Sequence, residues 1–122
     1  MTSHLENFER AVQRLRVVLG EPESMTQREA SIHCFEFTFE LSWKAIQVAL
    51  RAKGVDATTP RECLERAWRS GWIDDEEAWV DMLRDRNLTS HTYKDSLARE
   101  VVSRLPQHLR ELAQLSVRLR TA

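Results

Sequence analysis

Glycine and proline are scarce, with three of each in 122 residues. A turn-rich sheet protein needs more of both, so the shortage favours long helices. Cysteine is nearly absent. Cys34 and Cys63 lack metal-ligand spacing and fall inside apolar helical patterns, which predicts two small buried side chains in a reducing cytoplasm. No apolar run approaches the roughly 20 residues that cross a bilayer. The N-terminus carries no secretory apolar region, so a cytoplasmic protein without membrane contact is expected. Formal net charge is −1, and nothing global advertises nucleic-acid binding; any RNA or DNA contact has to be local. There is no glycine-rich phosphate loop, no His pair at zinc-ligand spacing, and no Ser–His–Asp set that spacing supports. Asp81 and Asp85 lie one turn apart and could touch a cation, but Arg84 and Arg86 beside them satisfy them more readily as ion pairs. Neither a metal nor a cofactor is expected.

Apolar residues make up 42% of the chain and charged residues 30%, enough for one domain over residues 1–122 with a real core. A first helix is predicted from His4 to Leu19. Ser3 and Glu6 form a capping box, Gly20 supplies the stop, and Leu5, Phe8, Val12, Leu15 and Leu19 share a face. The second helix, from Met25 to about Lys53 with Gly54 behind it, holds a trap. Residues 35–43 alternate apolar and polar as a strand does. Helical spacing is the better description, because Phe35, Phe39, Trp43, Ile46 and Leu50 form one stripe. Cys34, Phe37, Leu41, Ala45 and Val48 form a second. Two stripes cover most of a helix circumference, so this helix is expected as the central post, roughly 40 Å long. Its polar stripe carries Glu36, Glu40 and Lys44, with a Glu40–Lys44 pair one turn apart. Glu36 and Glu40 read most simply as surface ion-pair members, otherwise as carboxylates facing a cleft.

Thr59-Pro60-Arg61-Glu62 starts a third helix of about ten residues with Leu64, Ala67 and Trp68 inward, ended by Ser70-Gly71. Trp72 and Ile73 are a hydrophobic plug in the link. Asp74 with Glu77 opens a fourth helix, with Trp79, Met82 and Leu83 on its inner face. A last helix starts near Asp95 and keeps Leu97, Val101, Leu105, Leu112, Leu115 and Leu119 at helical spacing; Pro106 inside it predicts a kink. Arg110, Arg118 and Arg120 read as a solvated basic tail. The sum is an all-α protein, an antiparallel four-helix bundle plus a short fifth helix.

The chain turns on residues 84–93, Arg-Asp-Arg-Asn-Leu-Thr-Ser-His-Thr-Tyr, where guanidiniums, an amide, hydroxyls, an imidazole and a phenol crowd between two core-forming helices. Such a cluster finds its partners in solvent, in a cleft or in another chain. The imidazole of His91 can take and return a proton near neutral pH. The Arg86 guanidinium matches phosphate oxygens with a fork of donors. Together they form a minimal kit for metal-free phosphodiester cleavage. His91 would deprotonate a ribose 2′-OH or protonate the leaving 5′-oxygen, and Arg86 would stabilise phosphoryl charge. On an unbroken helix, five residues amount to about 140° of rotation, which separates Arg86 from His91 and leaves Asn87 on the face of His91. Convergence therefore requires the helix to end near Leu88–Ser90, or Arg86 to reach round. One Arg and one His are also half of an acid–base pair, and a twofold dimer would bring a second His. The structural alternative has Arg86 and His91 capping helix ends.

The blocks 35–44 (Phe-Glu-Phe-Thr-Phe-Glu-Leu-Ser-Trp-Lys), Thr59-Pro60-Arg61-Glu62 and Asp81 to Tyr93, in that order over nearly the whole chain, resemble the nucleotidyltransferase substrate-binding protein family. That family belongs to the HEPN superfamily and includes HepT-like toxins. The last block is the most specific: it matches an Arg, four to six residues, His motif, with the HepT-type Tyr two residues beyond the His. The resemblance implies a helical domain that dimerises so that two motifs face one cleft, acting as a metal-independent endoribonuclease. It implies Arg86 and His91 as the catalytic pair, with Asn87 beside them. It also implies a cognate nucleotidyltransferase antitoxin that silences the enzyme by adding AMP to Tyr93. The older family name implies an alternative, a non-enzymatic subunit that binds substrate for a separate nucleotidyltransferase. A third reading is an inert helical interaction module. The intact Arg-Asn and His-X-Tyr set favours the ribonuclease, and the near-neutral charge favours a protein partner over unaided tight RNA binding.

Overall fold

Helices form where capping signals and apolar periodicity coincide. The computed structural model describes residues 3–92 and 94–122. α1 spans His4–Leu19 and α2 spans Met25–Ala52. α3 spans Pro60–Arg69, α4 spans Glu76–Leu88 and α5 spans Asp95–Arg120. A single 3₁₀ turn, Thr89–His91, follows α4 directly. Among the described residues there is no strand, so the alternation at 35–43 is helical. None of the described helices is long and apolar enough to cross a membrane.

Side-chain oxygens of Ser3, Ser24, Thr59 and Asp75 accept the orphan backbone N–H groups at the starts of α1 to α4. For α4 the capping residue is Asp75, one position later than the Asp74–Glu77 pattern predicted. Asp74 is taken instead by Arg118, whose Nη2 donates to it over 2.6 Å. Two glycines close helices in the left-handed region, Gly54 at φ 77° and Gly71 at φ 80°. Behind each, the next N–H returns to a helix carbonyl: Val55 to Leu50 and Trp72 to Ala67, both over 2.9 Å. The turn at Gly71 sends Trp72 and Ile73 back into the core, where both are buried.

With 28 residues, about 42 Å at 1.5 Å per residue, α2 packs against each of the other four helices. The result is an antiparallel four-helix bundle, with α3 as the short extra helix. Phe35, Phe39, Ile46 and Leu50 of its first stripe are buried, with Phe8, Val12 and Leu15 from α1 and Val101, Leu105, Leu112 and Leu115 from α5. The second stripe is covered only in part, with Ala45 buried and Leu41 half-buried against the core. Phe37 is 55% and Val48 44% exposed, while Cys34 is half-buried. Cys63 is buried as expected. Trp68 is largely exposed, because Cys63, Leu64 and Ala67 already occupy the inward face of α3. α5 continues through Pro106, which stands on the exposed side. Arg118 and Arg120 are not a free basic tail: Arg120 pairs with Glu9 of α1, as Arg118 does with Asp74.

Candidate functional site

α4 ends at Leu88, and the Thr89–His91 turn carries the chain on to His91. Thr89 is buried, and its hydroxyl donates to the Arg86 carbonyl over 2.6 Å. Ser90 and Thr92 donate in the same way to the carbonyls of Asn87 and Thr89. Short polar side chains thus satisfy the last carbonyls of α4, which lets the helix stop. Arg86 is still helical, whereas His91 is the last residue of the turn and is exposed; a 3₁₀ turn advances about 120° per residue, so the turn by itself does not carry His91 round to the face of Arg86. Asn87 is exposed on the last turn of α4. Tyr93 lies outside the described residues.

Arg86 is half-buried against α2. Its Nε donates to Glu40 Oε1 over 3.2 Å, and its Nη1 lies 3.7 Å from Glu36 Oε2 and 3.5 Å from the Thr89 hydroxyl. Among the described residues, Nη2 has no partner. Glu40 is engaged at both oxygens, because Trp43 Nε1 donates to Oε2 over 3.1 Å. The predicted Glu40–Lys44 pair is absent, since Glu40 turns to Arg86 and Trp43 instead of along its own helix. Beside the cluster, a cavity of about 320 Å³ opens between α2 and the start of α5. Arg28, Ile32, Glu36, Thr92 and Asp95 are among its walls.

Asp85 departs from its predicted role. Its neighbour Arg86 does not pair with it, although Asp81 does pair with Arg84 over 3.2 Å. Asp85 points into the protein, 3% exposed, and accepts both Nε and Nη2 of Arg104 at 2.8 Å. His108 Nε2 donates to its Oδ2 over 2.7 Å, and the His108 ring stacks on Phe35 at 5.4 Å. Burial pushes the Asp85 carboxyl up. The hydrogen bonds from Arg104 and His108, with their charges, outweigh that and hold it below its ordinary value. This brace ties the end of α4 to α5 and α2 one residue before Arg86. Arg104 and His108 were missed by the sequence reading. The available signal was His108 itself, an imidazole standing in the Val101, Leu105, Leu112, Leu115 stripe. Among the described residues, no group of three His, Cys, Asp or Glu side chains is arranged to hold a metal ion.

Fold and site together define a small helical domain with an Arg–His motif at a broken helix end. Residues 3–121 match the family described as nucleotidyltransferase substrate binding protein like. A Haemophilus influenzae protein named "Probable ribonuclease HepT" is 35% identical over 95 residues, covering 74% of this chain and 65% of that protein. A Thermus thermophilus protein of known crystal structure superposes with a TM-score of 0.87 at 36% identity, over 93% of this chain and 98% of the other. A second structure, from Haemophilus influenzae, is described as revealing the fold of a substrate binding domain of a nucleotidyltransferase. It superposes with a TM-score of 0.82 at 27% identity, over 95% and 98% of the two chains. The chain belongs to the nucleotidyltransferase substrate binding protein like family.

Proposed function

We propose that this chain is a HepT-like toxin of a toxin–antitoxin pair, a single helical domain that acts as a metal-independent endoribonuclease. Two protomers pair so that Arg86, Asn87 and His91 of each face one cleft. Arg86 stabilises charge on the phosphoryl oxygens, and His91 moves a proton at the ribose 2′-OH or the leaving 5′-oxygen. A cognate nucleotidyltransferase silences the enzyme by transferring AMP to Tyr93. A bulky anion two residues from His91 repels RNA phosphate and blocks the cleft. The observation that carries this reading is the motif's placement: Arg86 and Asn87 on the last turn of α4, and His91 exposed in the 3₁₀ turn that follows it. Similarity to a probable ribonuclease supports the same reading.

A second reading, a non-enzymatic substrate-binding subunit of a nucleotidyltransferase complex, is favoured by one observation. Glu36 and Glu40 already balance the charge of Arg86, leaving little to attract RNA. Cleavage of RNA in EDTA by the purified protein, beside His91→Ala and with both intact masses recorded, separates the two. Cleavage by the unsubstituted protein alone supports the ribonuclease. No cleavage by protein of unmodified mass refutes it and leaves the subunit role. A mass raised by AMP identifies a silenced preparation, to be measured again after removal of the adenylate.

A further inference from the structure

An Arg and a His supply one proton-transfer group and one charge stabiliser, yet cleavage through the 2′-hydroxyl needs a base and an acid. A second imidazole from a paired protomer is one source. The structure holds a nearer one, because α2 delivers two carboxylates to Arg86 from 46 and 50 residues away in sequence. Their situations differ. Glu40 has both oxygens occupied, by Arg86 Nε and Trp43 Nε1. Glu36 has neither so engaged: its contact to Arg86 is 3.7 Å and its contact to His33 is 4.0 Å, both beyond hydrogen-bond length. Glu36 also lines the cavity that Thr92, the residue after His91, lines from the other side.

We infer that Glu36 is the general base of the ribonuclease reaction and Glu40 a positioning residue that holds the Arg86 guanidinium. This rests on the ribonuclease reading above. Arg86 Nη2, without a partner among the described residues, is the donor left for a phosphate. The adjoining ribose then enters the cavity beside Glu36. In the first step the Glu36 carboxylate takes the 2′-OH proton and the 2′-oxygen attacks phosphorus. The bond from phosphorus to the 5′-oxygen breaks, and the His91 imidazolium gives its proton to that oxygen. The products are a 2′,3′-cyclic phosphate and a 5′-hydroxyl. Glu36 returns its proton to water and His91 takes one up, so no metal or co-reactant enters the balance. Charged groups near Glu36 are Arg86 from α4, Glu40, His33, Arg28 and Glu29 from α2, and Asp95 from α5.

The test is the pH dependence of kcat and KM on a mixed-sequence single-stranded oligoribonucleotide, in EDTA, with protein of unmodified mass. Acid–base groups contribute typically 10²–10⁴-fold, so Glu36→Gln is expected to lose at least about 100-fold in kcat together with the acidic limb of the profile. KM is expected not to rise, because removing a negative charge beside Arg86 favours phosphate binding. Glu36→Asp keeps the acidic limb. Glu40→Gln keeps it too and raises KM. Circular dichroism checks that each variant is folded. A Glu36→Gln variant within threefold of the unsubstituted enzyme, with both limbs intact, overturns the assignment and hands the base to a second His91. Loss of the acidic limb in Glu40→Gln alone also overturns it. Failure of the unsubstituted, unmodified protein to cleave refutes the ribonuclease reading itself, a separate result.

Discussion

Replacing Asp85 by asparagine is expected to destabilise the fold by about 2 kcal/mol at neutral pH. Asp85 is 3% exposed and accepts three short hydrogen bonds, two from Arg104 and one from His108. Asparagine has the same shape but one acceptor oxygen. With the oxygen in place of Oδ2 the amide NH₂ faces Arg104 Nη2, and with the oxygen in place of Oδ1 it faces both Arg104 Nε and His108 Nε2. A hydrogen bond to a charged group contributes about 1.5–3 kcal/mol net, and at least one is lost with the carboxylate charge. The Arg104 side chain is 41% exposed and can be rehydrated, which keeps the loss below the roughly 3–5 kcal/mol of a fully buried broken pair. With an unfolding entropy of about 2.1 cal/mol/K per residue, 2 kcal/mol in a chain of this length lowers Tm by about 8 °C. Thermal and urea unfolding followed by circular dichroism read both quantities.

The pH dependence sharpens the test. Because Asp85 is held below its ordinary value in the folded state, its contribution is fully present above the unfolded carboxylate value of about 3.9. It is lost as pH falls from there through the folded value. Asparagine does not titrate, so the stability gap between the two proteins closes over that acid window while other carboxylates cancel. A gap under about 0.5 kcal/mol at pH 7, or one that stays constant into acid, would refute the view that this brace holds α4 to α5.

Arg86→Lys is expected to abolish RNA cleavage. A single ammonium cannot meet Glu40, Glu36 and Thr89 and still present a donor to phosphate; cleavage at the original rate would remove Arg86 from the reaction. Tyr93→Phe is expected to keep toxicity and escape the partner nucleotidyltransferase, and rescue of that variant by the partner would show that the switch lies elsewhere. Gly71→Ala is expected to destabilise by about 1–2 kcal/mol, the cost of an L-residue at positive φ, because φ is 80° and an added Cβ meets no atom within 4 Å. An unchanged urea midpoint would mean that the turn adapts.

Most of the architecture was legible because each helix carried its own signals. Ser3, Thr59 and the apolar stripes of α1, α2 and α5 are local facts, and local facts survive folding. Resolving the alternation at 35–43 as helix depended only on comparing two periods over a longer window. What the sequence hid was relational. Periodicity marks Phe37 and Val48 as apolar, but whether a neighbouring helix lies over them depends on how many partners α2 acquires. Charge pairing failed for the same reason. Glu40 lies one turn from Lys44 but bonds across the bundle to Arg86, and Asp85 turns from its neighbour Arg86 to Arg104 and His108. The candidate site was half legible: the motif stood out as a polar block, whereas the carboxylates that surround Arg86 lie about 50 positions earlier in the chain.

Those carboxylates also bear on how RNA would be held. Among the described residues Arg86 pairs with two carboxylates, Glu36 and Glu40, in a chain whose net charge is −1. On the ribonuclease reading, phosphate therefore does not arrive by long-range attraction. It exchanges into a site where, among the described residues, one nitrogen of a clamped arginine is left for it. Binding to single strands weakens with salt at a logarithmic slope of about −0.7 for each phosphate neutralised, so a site with so few unpaired cations has a shallow salt dependence. The clamp trades affinity for geometry. Glu40 fixes the plane of the guanidinium, and a fixed donor stabilises transition-state charge without reorganising. A partner that adds one more anion, as adenylation of Tyr93 would, then needs to overcome only a weak attraction. Silencing by a single modification is physically reasonable in a site already close to electrostatic balance, and would be far harder in a strongly basic groove.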